Sequence, residues 1–175
     1  LFVSAHLPWP ETGDAIWRWD GAAWSIFEDQ LDDTVYAYGD DHGRLVAAGW
    51  FGSIGGSSHN RIAAWNGTAW EDLGAGIGNS LPNQRVEVLG SYNGDLWAGG
   101  FFERAGGEAA SNVAMWNDGM WSSPGAGADY TVSAFTTYEG SLVTAGSFAV
   151  IDGETVNYVA RWAQDSVFSG TFENP

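Results

Sequence analysis

Short apolar runs bounded by glycine-bearing turns fill this chain from end to end, and no stretch of helical period with caps is long enough to compete with them. Leu45-Val46-Ala47-Ala48-Gly49, Leu96-Trp97-Ala98-Gly99-Gly100 and Leu142-Val143-Thr144-Ala145-Gly146 are alike, and an aromatic follows each at Phe51, Phe102 or Phe148. Leu1-Phe2-Val3-Ser4-Ala5 takes the same place at the start. Ahead of them stand Val35-Tyr36-Ala37-Tyr38, Val86-Glu87-Val88-Leu89 and Val132-Ser133-Ala134-Phe135. Behind them come Ala15–Trp24, Arg61–Trp70, Asn112–Trp121 and a degraded Tyr158–Trp162, each built around Trp19, Trp65, Trp116 or Trp162. Runs this short, rich in β-branched and aromatic residues, predict strands. His42-Gly43, Asn93-Gly94 and Glu139-Gly140 predict the turns between first and second strands, and Asp20-Gly21 and Asn66-Gly67 those between third and fourth. The chain reads as all-β.

The strands recur as a unit. The anchoring tryptophans at 19, 65, 116 and 162 are spaced by 46, 51 and 46 residues, a period of propeller blades rather than helical solenoids. A four-stranded antiparallel sheet with apolar residues on both faces cannot cover both alone, so blades must stack face to face around an axis. The units run approximately over residues 1–34, 35–85, 86–131 and 132–175 of a single domain. Small residues on the second strand, such as Ala48, Gly49, Gly99, Gly100, Ala145 and Gly146, are expected where neighbouring backbones approach closely. Seven of the eleven tryptophans (Trp19, Trp24, Trp65, Trp70, Trp116, Trp121 and Trp162) hold repeat positions, which points to core packing between blades.

The Leu-x-Ala-Gly-Gly-x-Phe strand, the turn at Ala105-Gly106-Gly107, the Asn-x-Ile-Ala-x-Trp strand and the Gly-x-x-Trp turn together resemble kelch-like propeller repeats. Ile54-Gly55-Gly56 and Ile151-Asp152-Gly153 repeat the turn. The variety is similar to repeats of large secreted bacterial proteins and of fungal cortical-marker proteins that guide bud-site choice. The resemblance implies an extracellular or surface-exposed β-propeller and carries over no catalytic residue. Copper-oxidase members of the wider superfamily depend on a cysteine-linked tyrosine, and this chain has no cysteine.

The first unit opens at its second strand, so the strand count is three, four, four and four. A slice of a larger propeller, a four-bladed domain with one thin blade, and a gap filled by a neighbouring copy are the competing explanations. An unpaired edge in an otherwise finished blade is a template for strand addition, which favours self-association through chain ends or strand edges. The third-strand position of Ala63, Ala114 and Ala160 is Trp17 in the first unit. A tryptophan there either cannot have the neighbour those alanines have, or fills a face opened by smaller partners.

Charge narrows the setting. The net charge is −16, with 22 acidic residues against six arginines and no lysine, a field that repels nucleic acid and anionic lipid. No apolar run approaches the roughly 18 residues that span a membrane as a helix, so direct membrane insertion is not expected. Acidic, lysine-free, turn-rich composition suits an extracellular or cell-surface protein. Asp29, Asp32 and Asp33, with Asp40 and Asp41 nearby, match no calcium-loop spacing and read as solvated loop residues. His6, His42 and His59 share no ligand spacing. No metal or cofactor is expected.

Nucleophile elbows, phosphate loops and metal-ligand motifs are all missing from the sequence, which argues against an enzyme and leaves a carbohydrate-active fragment as the minor reading. Two binding roles remain: a structural or adhesive module that contacts copies of itself or other surface proteins, and a glycan-binding module. For the second, Trp9, Trp50 and Trp17 are the candidate platforms, because sugar C–H faces stack on flat aromatics. Trp97 aligns with Phe2, Val46 and Val143 and reads as core. Asn66-Gly67-Thr68 is the one N-glycosylation acceptor pattern and falls on a turn.

Overall fold

A computed structural model of the chain describes residues 1–6, 13–78 and 83–162. Every regular element in them is a strand, and the strands form successive antiparallel sheets. The first sheet is β1 (Phe2–His6), β2 (Asp14–Trp19) and β3 (Trp24–Glu28). The second unit contains β4 (Val35–Asp41), β5 (Arg44–Gly49), the short pair β6 (Ser53–Ile54) and β7 (Ser57–Ser58), β8 (Ile62–Trp65) and β9 (Trp70–Asp72). The third contains β10 (Arg85–Tyr92), β11 (Asp95–Phe101), β12 (Arg104–Ala105), β13 (Glu108–Ala109), β14 (Val113–Asn117) and β15 (Met120–Ser122). The fourth contains β16 (Val132–Tyr138), β17 (Ser141–Gly146), β18 (Val150–Ile151), β19 (Glu154–Thr155) and β20 (Val159–Trp162). The second and third main sheets are ordered β4-β5-β8-β9 and β10-β11-β14-β15, and the fourth runs β16-β17-β20. The fourth unit's expected last strand lies outside the described residues.

The first-to-second turns are two-residue hairpins with both residues left-handed: φ is 53° and 86° at His42-Gly43, 55° and 90° at Asn93-Gly94, and 48° and 74° at Glu139-Gly140. The Asp20 and Asn66 turns work differently from the sequence expectation. There only the glycines are left-handed, while Asp20 Oδ1 accepts from the amides of Ala22 and Ala23, and Asn66 Oδ1 accepts from those of Thr68 and Ala69. The side chain therefore organises the turn by hydrogen bonding rather than by backbone permissiveness.

The second-strand glycines also act closer to home than expected. A Cβ at Gly49, Gly100 or Gly146 would lie 2.1, 2.2 or 2.1 Å from the carbonyl oxygen of Thr34, Arg85 or Thr131. The crowding comes from the first strand of the same sheet, beside the register shifts at Val35/Ala37, Val86/Val88 and Val132/Ala134. Gly99 is the inter-sheet case, since its Cβ would lie 2.5 Å from the Val132 side chain.

Three apolar clusters join the sheets in sequence. Phe2, Ile16 and Phe27 pack with Ala47, Ala63 and Trp70 between the first and second sheets. Val46, Ile62, Ala64 and Leu73 pack with Leu96, Ala114, Trp116 and Trp121 between the second and third. Trp97, Val113 and Met115 pack with Val132, Leu142, Ala160 and Trp162 between the third and fourth. Polar ties cross the same seams: Trp70 Nε1 donates to Glu28 at 3.2 Å, Trp121 Nε1 to the Leu73 carbonyl at 2.8 Å, and Ser4 Oγ meets Tyr38 Oη at 2.5 Å. Each exit segment also bridges the short hairpin of the next unit, through Leu31–Ile54, Ile77–Ala105 and Ala128–Ile151. Asp32 Oδ1 accepts the amides of Gly52 and Ser53, and Asp129 Oδ1 those of Ala149 and Val150. These loop carboxylates clasp consecutive units together.

Candidate functional site

Side-chain alternation gives every sheet two faces. Phe2, Ile16 and Phe27 of the first sheet enter the cluster shared with the second. Their alternates Val3, Trp17 and Ile26 stand on the opposite face, aligned across all three strands by the pairings Val3–Trp17 and Trp17–Ile26. The same row in the second sheet reads Ala47–Ala63–Asp72, with both alanines fully buried against the first sheet. Val3 is 37% exposed and Ile26 43%. Trp19 and Trp24 pair beside the row at 5.5 Å, with Trp24 45% exposed. Their counterparts Trp116 and Trp121 are buried between sheets. The repeat tryptophans are thus core where a preceding sheet covers them and surface in the first unit.

Sequence placed Trp17 among the glycan platforms, and it does stand on this open face. Its ring is half-buried, and its Nε1 is enclosed without a hydrogen-bond partner among the described residues. Trp50 lies elsewhere, just past β5, 37% exposed. The two do not form one platform. Trp9 lies outside the described residues. Asn66 is exposed, but its Nδ2 donates to Glu71 Oε1 at 2.6 Å, so glycosylation requires that bond to open. Val3 and Ile26 were missed by sequence reading. The signal was available in the register, because Ile26 replaces the polar residue held by Asp72.

A second feature is a cleft of about 500 Å³ by the seam of the third and fourth units, with Phe101, Glu103, Ser111, Asn112 and Asp129 among its lining residues. Tyr130 is exposed and meets Phe101 at 5.7 Å, while the Arg85 guanidinium lies 6.0 Å from the Phe101 ring centre. Asn112 at its wall is buried in the left-handed conformation (φ 64°), donating to the Ala128 carbonyl at 2.8 Å and accepting from the Phe102 amide. Its side chain adds to the backbone bonds there, in which the Ala128 amide donates to the Ser111 carbonyl and the Asn112 amide to the Phe102 carbonyl.

His59 is buried, with Nδ1 2.6 Å from Asp72 Oδ1 and Nε2 unpartnered among the described residues. The His42 ring stands on a hairpin turn beside Asp41. Among the described residues, no three His, Asp or Glu side chains converge on a common point.

Residues 43–63, spanning β5 to the start of β8, match a family described as a beta-propeller domain of unknown function (DUF5122). No curated protein matches the chain. With the repeated antiparallel sheets and the absence of any helix among the described residues, this match makes the repeats β-propeller in nature.

Proposed function

We propose that this chain is a kelch-like propeller module that acts outside the cell as a non-enzymatic structural or adhesive component and joins copies of itself. The observation that carries the reading is the open face of the first sheet. Val3, Trp17, Trp24 and Ile26 lie at least partly in solvent, whereas each later sheet buries its corresponding face. Clustered exposed apolar side chains are a mark of association surfaces. The lysine-free charge of −16 supports a surface or extracellular setting and argues against nucleic acid as the partner. Immobilised chain is expected to retain soluble chain in a biosensor assay, with retention lost when the open face is made polar. No retention at any concentration would remove the adhesive reading.

The cleft at Phe101 favours glycan binding as a second reading. An aromatic pair beside amide, hydroxyl and carboxylate groups suits a neutral sugar. Retention on a polysaccharide panel that Phe101→Ala and Tyr130→Ala abolish is the expected result. Retention that survives both substitutions places the site elsewhere.

A further inference from the structure

The inference here rests on the glycan reading of the cleft and names the sugar substituent that it takes. Consecutive units are clasped at a recurring point. Asp32 and Asp129 each donate a backbone amide, to the carbonyl of Ser53 or Val150, and the side chain of each answers by accepting two amides, those of Gly52 and Ser53 or of Ala149 and Val150. One oxygen, Oδ1, takes both amides in each case. The link from the second unit to the third keeps only half of this device. Gly78 donates its amide to the Arg104 carbonyl at 2.7 Å, so it stands where Asp32 and Asp129 stand, but with no side chain to accept in return.

The amides left over are those of Glu103 and Arg104, the counterparts of Gly52 and Ser53. In an antiparallel pair the N–H and C=O of one residue point the same way, so the Arg104 amide faces the exit segment, as its carbonyl does, and not its strand partner Ala109. Neither amide has an acceptor among the described residues, and both residues are exposed. Glu103 lines the cleft at Phe101, and so does Gln84, whose Oε1 lies 2.8 Å from where a Gly78 Cβ would be. The unclasped amides therefore belong to the wall of that cleft.

Paired backbone donors select an acceptor oxygen, and the surroundings decide its charge. Glu103 and Asp129 both line the cleft, and the whole chain carries −16, so an anion is opposed. The nearby arginines are already engaged, Arg85 with Glu87 at 2.6 Å and Arg104 Nη1 with the Gly107 carbonyl at 2.7 Å. Among neutral sugar groups, an acetamido carbonyl offers two lone pairs and no proton that needs its own acceptor, unlike a hydroxyl. Its methyl group adds apolar surface beside Phe101 and Tyr130. We propose that the cleft takes an N-acetylated amino sugar, whose acetamido carbonyl accepts from the Glu103 and Arg104 amides as Asp32 and Asp129 do in the flanking links, with the ring against the Phe101–Tyr130 pair.

The test uses hexa-N-acetylchitohexaose and cellohexaose, which differ in carrying an acetamido group or a hydroxyl on each ring, with hexagalacturonate as the acidic arm. Calorimetry is expected to show the acetylated hexamer binding about tenfold more tightly than cellohexaose, the worth of one or two hydrogen bonds. In isotope-labelled chain, the Glu103 and Arg104 amide protons should move downfield with the acetylated hexamer and not with cellohexaose. Gly78→Asp puts a carboxylate back on the two amides and is expected to lower binding of the acetylated hexamer to the cellohexaose level, leaving cellohexaose binding unchanged. Aspartate at a φ of 88° is strained, so a thermal melt checks folding, and the wild-type amide shifts decide the matter if the variant does not fold. Equal binding of the two neutral hexamers, or binding that leaves both amide protons unmoved, overturns the acetamido contact while the glycan reading stands. Tighter binding of hexagalacturonate than of either also overturns it, in favour of a carboxylate. A chain that binds none of the three overturns the contact and the glycan reading together.

Discussion

Burial opposes ionisation of Asp41, but hydrogen bonds from His42 and Arg44, and their charges, outweigh it and hold the carboxyl below its usual value. The Ala23 and Ala22 amides do the same for Asp20. A carboxyl lowered in the folded state stabilises the fold above its unfolded pKa, near 3.9, and that stabilisation is lost as pH falls through the folded value. Asp41→Asn should therefore flatten the acid side of the stability profile, and cost roughly 1–2 kcal/mol at neutral pH, measured by urea melts between pH 2 and 7. Tyr38 behaves in the opposite sense. Burial between the first two sheets raises its pKa despite the bond to Ser4. Its stabilisation is complete below about pH 10 and lost as pH rises through the folded value. Absorbance titrations of the wild-type chain and of Tyr38→Phe should differ by one late-ionising tyrosine. Little of this was legible in sequence. Asp40 and Asp41 read alike as turn acids, and only the fold buries one and exposes the other. Asp32 read as solvated, yet its carboxylate bonds two amides about twenty positions away, a relation no local pattern carries.

At the scale of the element, sequence reading placed the second strands and their glycine ends, because alternation and turn chemistry are local. It missed the paired dipeptides such as β12–β13 flanking Gly106-Gly107, since two-residue strands have too few side chains to show a period. It also attributed the strand-end glycines to neighbouring sheets, when the crowding carbonyl belongs to the same sheet. That distinction makes a prediction. Gly100→Ala drives a Cβ into the Arg85 carbonyl and should cost roughly 2–4 kcal/mol. Gly94→Ala meets open space and a strained φ of 90°, so about 1–2 kcal/mol is expected. Chemical denaturation of the two variants should rank them in that order, and a loss at Gly100 no larger than that at Gly94 would mean that the strands yield around the added Cβ.

For the whole molecule, the number of repeats and the tryptophan spacing carried the architecture, while the state of the outer faces was beyond sequence reading. Trp17 announced an exception, but only register shows that Val3 and Ile26 extend it into a row. Association through that row brings together two chains of charge −16, so repulsion opposes an apolar contact. Raising ionic strength from about 0.01 to 0.15 M should strengthen association, because the screening length falls from roughly 30 to 8 Å. Weakening with salt would indicate a contact made by ion pairs instead. The most direct measurement is the mass of the native particle by light scattering coupled to size exclusion, at physiological salt and over a wide range of concentration. We expect a species of at least twice the 18.7 kDa chain mass that dissociates on dilution. A particle that stays at 18.7 kDa throughout would contradict self-association and shift the function to ligand binding at the cleft.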